Sequence, residues 1–175
     1  MNIKEYIRIL REEGCDDSLI EHSIAVLGLS VYIASRAILN GHDIDLDLIV
    51  AGALLHDIGR SKTHSVKHGY VGAQIIRERG LGEKIALIAE RHVGAGLSAN
   101  EAKMLGLPVK DYIPQTLEEK IVCYADKLVF RKRIGTIKDV IEYFKRELGE
   151  NHPAVNRFIE LDIEIRKLIG GKAII

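Results

Sequence analysis

The sequence predicts an all-α fold in a single domain, residues 1–175, with about seven to nine helices. Prolines are few, and two of the three, Pro108 and Pro114, fall in one segment. Residues that start or stop helices recur between apolar segments of helical length, and no stretch of any length alternates apolar and polar residues as a half-buried strand does. The 47% of hydrophobic residues suffice for a full core in one domain of this length.

Capping residues and glycines predict the helix boundaries. Ser18-Leu-Ile-Glu21 has the capping-box pattern, which predicts a long helix from Ser18 to a stop at Asn40-Gly41. Thr116-Leu-Glu-Glu119 repeats the pattern, and Asn151 is a candidate N-cap. No helix is predicted before Ser18. Further helices are expected at 45–58, 68–79, 82–92, 116–130, 136–148 and 153–169, with a short one starting at Ser98.

One long connection, Val93 to Gln115, follows the helix that ends near His92. It contains Gly94-Ala-Gly96 and two of the prolines, and it interrupts the helical pattern except for the short helix at Ser98. Long connections in compact domains are often lids or binding loops. A surface excursion without a role fits the same pattern.

Composition narrows the class of protein. Lysine plus arginine and aspartate plus glutamate both number 25, so the net charge is near zero, whereas a nucleic-acid-binding domain is normally basic. No apolar stretch is expected to reach the roughly 18–20 residues that span a bilayer, and the N-terminus lacks a signal-peptide core. Cys15 and Cys123 are isolated, so neither a disulfide framework nor a thiolate metal site is indicated. We expect a cytoplasmic protein without a membrane partner.

The adjacent pair His56-Asp57 ends an apolar run, residues 48–55. Burying an imidazole beside a carboxylate is costly unless a partner compensates both, and a divalent metal ion does so. Asp126 poses the same problem, since it shares a helical face with Val122 and Val129. Other polar residues interrupt or end apolar helical faces in the same way. The six candidate ligands are His22, His56, Asp57, His68, His92 and Asp126, which together indicate a metal site that could hold two ions.

Several other histidines are interpreted differently. His42-Asp43 follows a glycine stop and precedes a helix, where carboxylates cap the helix and favour its positive end, so the pair is expected to be solvated. The nearby aspartates resemble the start of a calcium loop, but the central glycine is missing and Leu54 replaces the bidentate glutamate. His64 is an alternative ligand to His68, and His152 is interpreted as structural.

These residues resemble the signature of the HD-domain phosphohydrolases. The order His22, His56-Asp57 and Asp126 matches its four ligands, and the segments ending at Arg60 and surrounding Asp126 are similar to its typical flanking sequences. The resemblance covers about residues 18–133, which implies an HD-type helical bundle in this region, with the C-terminal helices, residues 136–169, packed on it. It also implies metal-dependent phosphomonoesterase or phosphodiesterase activity.

Two segments, residues 67–73 and 90–92, further resemble the HD subgroup with two extra histidines. That subgroup binds two metal ions and includes the symmetrical diadenosine tetraphosphate hydrolases, and the whole chain most resembles small archaeal HD proteins. The resemblance implies that Asp57 bridges two ions. His22, His56 and Asp126 would then complete one ion's shell, with His68 and His92 on the other. This donor set suits Mn, Fe, Co, Ni or Zn, and the sequence does not choose among them.

The implied reaction is the attack of a metal-bound hydroxide on phosphorus. Asp57, Arg60 and Lys62 are the expected catalytic residues. Arg60 and Lys62 would also bind the substrate phosphate, together with the amide groups of Gly94 and Gly96. Arg91 and Lys127 are further basic candidates, although such residues more often lie at solvated helix ends.

The residue three places after Asp57 bears on the substrate. Mononuclear HD 5′-deoxynucleotidases have a glutamate there, whereas this chain has Arg60. The substitution favours a nucleotide-type phosphodiester or phosphoanhydride over a simple 5′-nucleotide. The alternatives are a 5′-nucleotidase-type phosphomonoesterase and a non-catalytic metal- or nucleotide-binding helical module. The expected partner is a small-molecule phosphate ester, and self-association is left open.

Overall fold

The computed structural model describes residues 1–130 and 133–171, and helices dominate this part of the chain. The helices are α1 Ile3–Glu13, α2 Asp17–Leu39, α3 Leu46–Leu55, α4 His68–Glu78, α5 Glu83–Arg91, α6 Ala99–Met104, α7 Leu117–Leu128, α8 Ile137–Leu148 and α9 Pro153–Leu168. A single 3-10 turn, Ile58–Ser61, follows α3, and two short antiparallel strands, β1 Val129–Phe130 and β2 Arg133–Ile134, follow α7. The predicted all-α class is confirmed.

The first helix was not predicted. Asn2 and Glu5 form a complete capping box at the start of α1, and Tyr6, Ile9 and Leu10 are buried against the rest of the domain. The pattern that predicted other helix starts is therefore present here as well, within a segment that the sequence analysis treated only as polar.

Four predicted boundaries are corrected. The helix predicted over residues 45–58 ends at Leu55, and a 3-10 turn begins at Ile58. Asp16, rather than Ser18, caps α2, because its side chain accepts the amide of Leu19. His152, rather than Asn151, caps α9, accepting the amide of Ala154 through Nδ1, which agrees with its predicted structural role. The seventh helix stops at Leu128, two residues early, because the chain turns into the β1–β2 hairpin.

The long helix α2 lies at the centre of the fold, against α3 and α7, and α4 packs on α5. Helix α2 carries core residues such as Val26, Ile33 and Ala37, which are fully buried. By length and hydropathy α2 could span a membrane, contrary to the sequence prediction, but a buried core helix passes the same test. The C-terminal helices α8 and α9 pack on each other and on α7.

The connection 93–115 packs on the domain through its own small core, formed by Ala102, Leu107 and Tyr112. Its two ends are joined by backbone hydrogen bonds between Leu97 and Tyr112. From α9, Arg157 donates to the carbonyl of Gly96 and to Glu101 at 2.9 and 2.8 Å. These contacts anchor the connection to the C-terminal part of the chain.

Gly59 sets the distance between the 3-10 turn and α4. A Cβ at this position would lie 2.0 Å from the carbonyl oxygen of His68 and 2.5 Å from the amide nitrogen of Gly72. Such distances are far inside van der Waals contact, so only glycine permits this approach. The turn that follows Asp57 therefore packs directly against the start of α4, where His68 lies.

Candidate metal centre

The structure brings six predicted ligands to one place in the core, from five parts of the fold. His22 lies on α2, Asp126 on α7 and His68 at the start of α4, whereas His56-Asp57 and His92 follow the ends of α3 and α5. All except His22 are buried. Six such side chains share one interior region although up to 104 residues separate contacting partners.

Asp126 organises the first half of this centre. Its Oδ1 atom lies 3.0 Å from Nε2 of His22 and 3.5 Å from Nε2 of His56. The same His56 nitrogen lies 3.7 Å from Oδ2 of Asp57. Nitrogen and oxygen donors thus face one another at separations that a single metal ion between them could occupy after small adjustments.

Asp57 also belongs to a second half, on its other oxygen. Its Oδ1 atom lies 3.2 Å from Nε2 of His68 and 3.2 Å from Nε2 of His92, and those two nitrogens lie 3.1 Å apart. One carboxylate oxygen therefore faces each half. This is the arrangement in which Asp57 could bridge two cations.

Hydrogen bonds fix the protonation pattern of three of the rings. In His56, His68 and His92 the Nδ1 atom lies 2.8, 2.7 and 2.7 Å from the backbone carbonyl oxygen three residues earlier. A carbonyl can only accept, so Nδ1 carries the hydrogen, and in the neutral ring Nε2 presents a lone pair to the centre. This backbone support is typical of metal-binding histidines.

The centre contains acceptors that protein donors leave unsatisfied. Nε2 of His56 is fully buried and has no hydrogen-bond partner among the described residues. The lone pairs of His68 and His92 point at each other when both rings are neutral, an arrangement that is repulsive without something positive between them. The donor set therefore fits divalent metal ions on the chemistry of its own atoms.

The electrostatics favour the ligating forms of the two carboxylates and of His92, whereas the Asp57 and Asp126 carboxylates outweigh burial and raise the pKa of His56. Burial raises the pKa of Asp57, but the neighbouring His56, His68 and His92 outweigh it and hold the pKa well below its usual range. Burial likewise raises the pKa of Asp126, and the Lys127 ammonium with the nearby histidines outweighs it. Burial lowers the pKa of His92 to about 4. Ionised carboxylates and a neutral imidazole are the forms that bind metal.

A cavity of about 1580 Å³ opens beside the centre, and His22, Asp57 and Asp126 line it. Arg60, Lys127 and Arg133 line it as well, and the first two of these basic residues contact the ligand carboxylates. Nε of Arg60 donates to Oδ2 of Asp57 at 2.7 Å, and the ammonium of Lys127 pairs with Oδ2 of Asp126. A negatively charged substrate in this cavity would therefore meet the ligand carboxylates together with these cationic side chains.

Other predicted substrate-binding groups lie outside this lining. The ammonium of Lys62 binds Glu13 at the end of α1, 3.2 Å from Oε2 and 3.1 Å from the carbonyl oxygen. The amide of Gly96 donates to the carbonyl of Val93, and neither Gly94 nor Gly96 lines the cavity. The connection 93–115 contributes no lining residue, so it does not cover this site as a lid.

The other histidines and basic residues considered in the sequence analysis lie outside the metal centre, except for His68. His68 lies at the centre, whereas the exposed His64 only lines the cavity. Arg91 pairs with the buried Glu119 at 2.9 Å. The pair His42-Asp43 lies on an exposed turn before α3.

A further wall of the cavity was not predicted at all. Phe130 and Arg133 of the hairpin and Tyr143 of α8 line it. From the sequence, this region was predicted only to form helices that pack on the core, and its aromatic residues have ordinary helical spacing. No local signal in the sequence assigns them to a site.

The family model of the HD domain matches residues 19–130. The chain belongs to the HD domain family, within the superfamily of metal-dependent phosphohydrolases. The four ligands predicted from the family signature, His22, His56, Asp57 and Asp126, all lie within the matched residues and in the centre described above.

Relatives of the HD chain differ in length and name. An uncharacterized protein of Methanocaldococcus jannaschii is 48% identical, and the alignment covers 97% of this chain and 99% of that protein. A tRNA (cytidine(56)-2′-O)-methyltransferase of Picrophilus torridus is 41% identical over 94% of this chain, which spans only 46% of the methyltransferase. Ribonuclease Y of Thermosipho melanesiensis is 30% identical over 74% of this chain and 22% of its own length. No solved structure matches the chain.

Proposed function

We propose that this HD protein is a metal-dependent phosphohydrolase that cleaves a nucleotide-type phosphodiester or phosphoanhydride. One observation carries the proposal. Asp57 directs one oxygen toward each of two histidine sets, and this centre opens into a cavity that also contains Arg60 and Lys127. A buried site with unsatisfied lone pairs, an exit to solvent and nearby cations suits the cleavage of an anionic ester.

Each ligand has a distinct task in this proposal. His22, His56 and Asp126 would hold one ion, His68 and His92 would hold the second, and Asp57 would contact both. Bound divalent ions would lower the pKa of a coordinated water and neutralise charge on the phosphate oxygens. Mn, Fe, Co, Ni and Zn all suit the mixed nitrogen and oxygen donors.

Arg60 is suited to position the phosphate. Its Nε atom is held by Asp57, and its two terminal nitrogens have no hydrogen-bond partner among the described residues. The guanidinium plane is therefore fixed at one edge and open at the other, which is the geometry for a bidentate contact with two phosphate oxygens. Lys127 adds a second positive charge, because the Asp126 carboxylate outweighs burial and raises the pKa of its ammonium.

The names of the relatives favour RNA phosphodiesters as a second class of candidate substrate. The methyltransferases that share almost the whole of this chain act on tRNA by name, and ribonuclease Y by name cleaves RNA. A 2′,3′-cyclic phosphate combines that chemistry with a small substrate. The near-zero net charge favours a small substrate over a long nucleic acid. We further propose that the protein acts in the cytoplasm.

A substrate screen tests the proposal. The protein is stripped with a chelator and reloaded with Mn²⁺, and initial rates are measured on a dinucleoside polyphosphate, a 2′,3′-cyclic nucleotide and a deoxynucleoside monophosphate. We expect hydrolysis of one of the first two and its loss in Asp57→Ala. Asp43→Ala is the matched control from the other His-Asp pair and should keep the wild-type rate.

The screen also distinguishes the alternatives. A clear preference for the monophosphate would replace the diesterase proposal with the 5′-nucleotidase-type activity. Metal binding without turnover of any ester would identify a non-catalytic metal- or nucleotide-binding module. Equal losses in Asp57→Ala and Asp43→Ala would show that the wrong pair has been assigned to the centre.

A further inference from the structure

The cavity beside the metal centre is larger than a phosphate group requires. Its volume of about 1580 Å³ exceeds the roughly 300–1,000 Å³ of pockets that hold drug-sized ligands. The lining residues that do not belong to the centre come mainly from two regions, residues 14–25 on one side and β1, β2 and α8 on the other, and the second region includes three aromatic rings. A substrate bound at the metal centre therefore has room to extend toward a second, chemically different wall.

Two of the aromatic rings, the half-buried Phe130 and the exposed Tyr143, lie next to each other in this wall. Phe130 and Tyr143 meet edge to face, with ring centroids 6.4 Å apart and planes at 84°. Tyr143 is 44% exposed although it is large and partly apolar. Its neighbour Phe144 is buried and packs on Phe158 of α9, with centroids 5.7 Å apart. Phe144 thus belongs to the core and only borders the cavity, whereas Tyr143 is a half-exposed lining residue with the guanidinium of Arg146 over its ring, 5.5 Å from the centroid.

The position of Phe130 is fixed by its surroundings. A Cβ on Gly135 would lie 2.5 Å from Cε2 of Phe130, so the ring fills the space that a side chain there would need. The guanidinium of Arg133 lies over the same ring, 5.2 Å from its centroid, and Asp139 holds that guanidinium at 3.0 Å. The ring is therefore held in place before any ligand binds, which lowers the entropy cost of stacking.

We propose that Phe130 and Tyr143 form a nucleobase subsite, in which the base of the substrate stacks while its phosphate lies at the metal centre. Flat aromatic side chains beside a phosphate site recognise bases because every base has a π face. The neighbouring Arg133 guanidinium can stack on the base or contact its oxygens and nitrogens. This inference rests on the proposed function and specifies it, since it restricts the substrate to esters that carry a base.

Binding of matched probes tests the subsite without any need for turnover. The Mn²⁺-loaded protein is titrated calorimetrically with AMP and with ribose 5-phosphate, which lacks the base. We expect AMP to bind more tightly. Tyr143→Leu should weaken AMP binding by roughly five- to a hundred-fold, the range that base stacking on an aromatic residue supports, and should leave ribose 5-phosphate binding unchanged. Tyr143→Phe should retain the wild-type affinity.

A tyrosine outside the cavity provides the matched control. Tyr32 on α2 is 46% exposed, close to the value for Tyr143, and does not line the cavity, so Tyr32→Leu should not alter AMP binding. Equal affinity for the two probes, or AMP binding that is unchanged in Tyr143→Leu, overturns the subsite. Hydrolysis of a base-free ester alongside that result leaves the proposed function standing. Base-dependent AMP binding without hydrolysis of any ester supports the subsite and overturns the proposed function.

Discussion

Replacing His68 by alanine tests whether the centre holds two ions. His68 contributes only to the second half, where it faces Asp57 and His92. Its removal leaves that half with two protein donors, whereas the first half keeps His22, His56, Asp126 and the other oxygen of Asp57. We therefore expect the number of bound ions to fall from two to one in His68→Ala.

The effect on thermal stability follows from the same count. An ion that binds only the folded state contributes about 2.7 kcal/mol when its concentration is 100 times the dissociation constant. For a domain of this length, about 1 kcal/mol shifts the melting temperature by roughly 2–4 °C. Each bound ion should therefore raise the melting temperature by about 5–11 °C. Wild type should gain about twice as much from saturating metal as His68→Ala gains.

Metal analysis after gel filtration and scanning fluorimetry with and without Mn²⁺ measure the two quantities. The gain on adding metal is compared within each protein, so any loss of apoprotein stability from removing the buried ring cancels. His22→Ala is the companion variant, because it weakens the other half. Retention of two ions in His68→Ala, or a single ion in the wild type, would refute the dinuclear assignment.

Three further outcomes test the fold around the site. Gly59→Ala should destabilise the protein by about 1–3 kcal/mol through overpacking and should weaken metal binding. Gly28→Ala is the control: a Cβ at Gly28 meets nothing within 4 Å, so this substitution in a helix should stabilise the protein by about 1 kcal/mol, and denaturant titration measures both changes. Tyr124→Phe should cost about 1–3 kcal/mol in the same assay, since it removes a 2.6 Å hydrogen bond to a buried carboxylate. Burial raises the pKa of Cys15 to about 11 and that of Cys123 to about 12. Iodoacetamide at pH 8 should therefore modify both thiols only after unfolding. Rapid labelling of the native protein would show that the two thiols are accessible and contradict this prediction.

The candidate ligands could be selected from the sequence because each of them interrupts a local pattern of apolar residues. A histidine or aspartate on an apolar helical face is visible in the sequence without knowledge of the tertiary fold. The pairing of these residues is not, and only the packed structure shows that Asp57 faces His92 on one side and Arg60 on the other. The resemblance to the HD family supplied the division of the six residues between two ions, which the local patterns left open.

The basic residues that line the cavity were harder to predict than the candidate ligands, because their positions depend on contacts distant in the chain. Lys62 was favoured over Lys127, yet Lys62 turns to Glu13 and Lys127 lines the cavity. Glu13 ends α1, a helix that was not predicted, so the sequence analysis did not include this partner for Lys62. The aromatic wall escaped prediction for a similar reason, since it requires the hairpin to bring Phe130 and α8 together.

The ends of helices explain why this centre can hold histidines in the form that binds metal. The last carbonyl groups of a helix lack intrahelical donors, and Nδ1 of His56 and of His92 each satisfies one such carbonyl, at Ala53 of α3 and Ala89 of α5. The same hydrogen bond turns Nε2 toward the centre with its lone pair free. The partial negative charge of two helix C-termini then adds to that of the carboxylates, and both favour a cation between them. A ligand moved one turn into either helix would lose the free carbonyl, the fixed tautomer and this electrostatic contribution together.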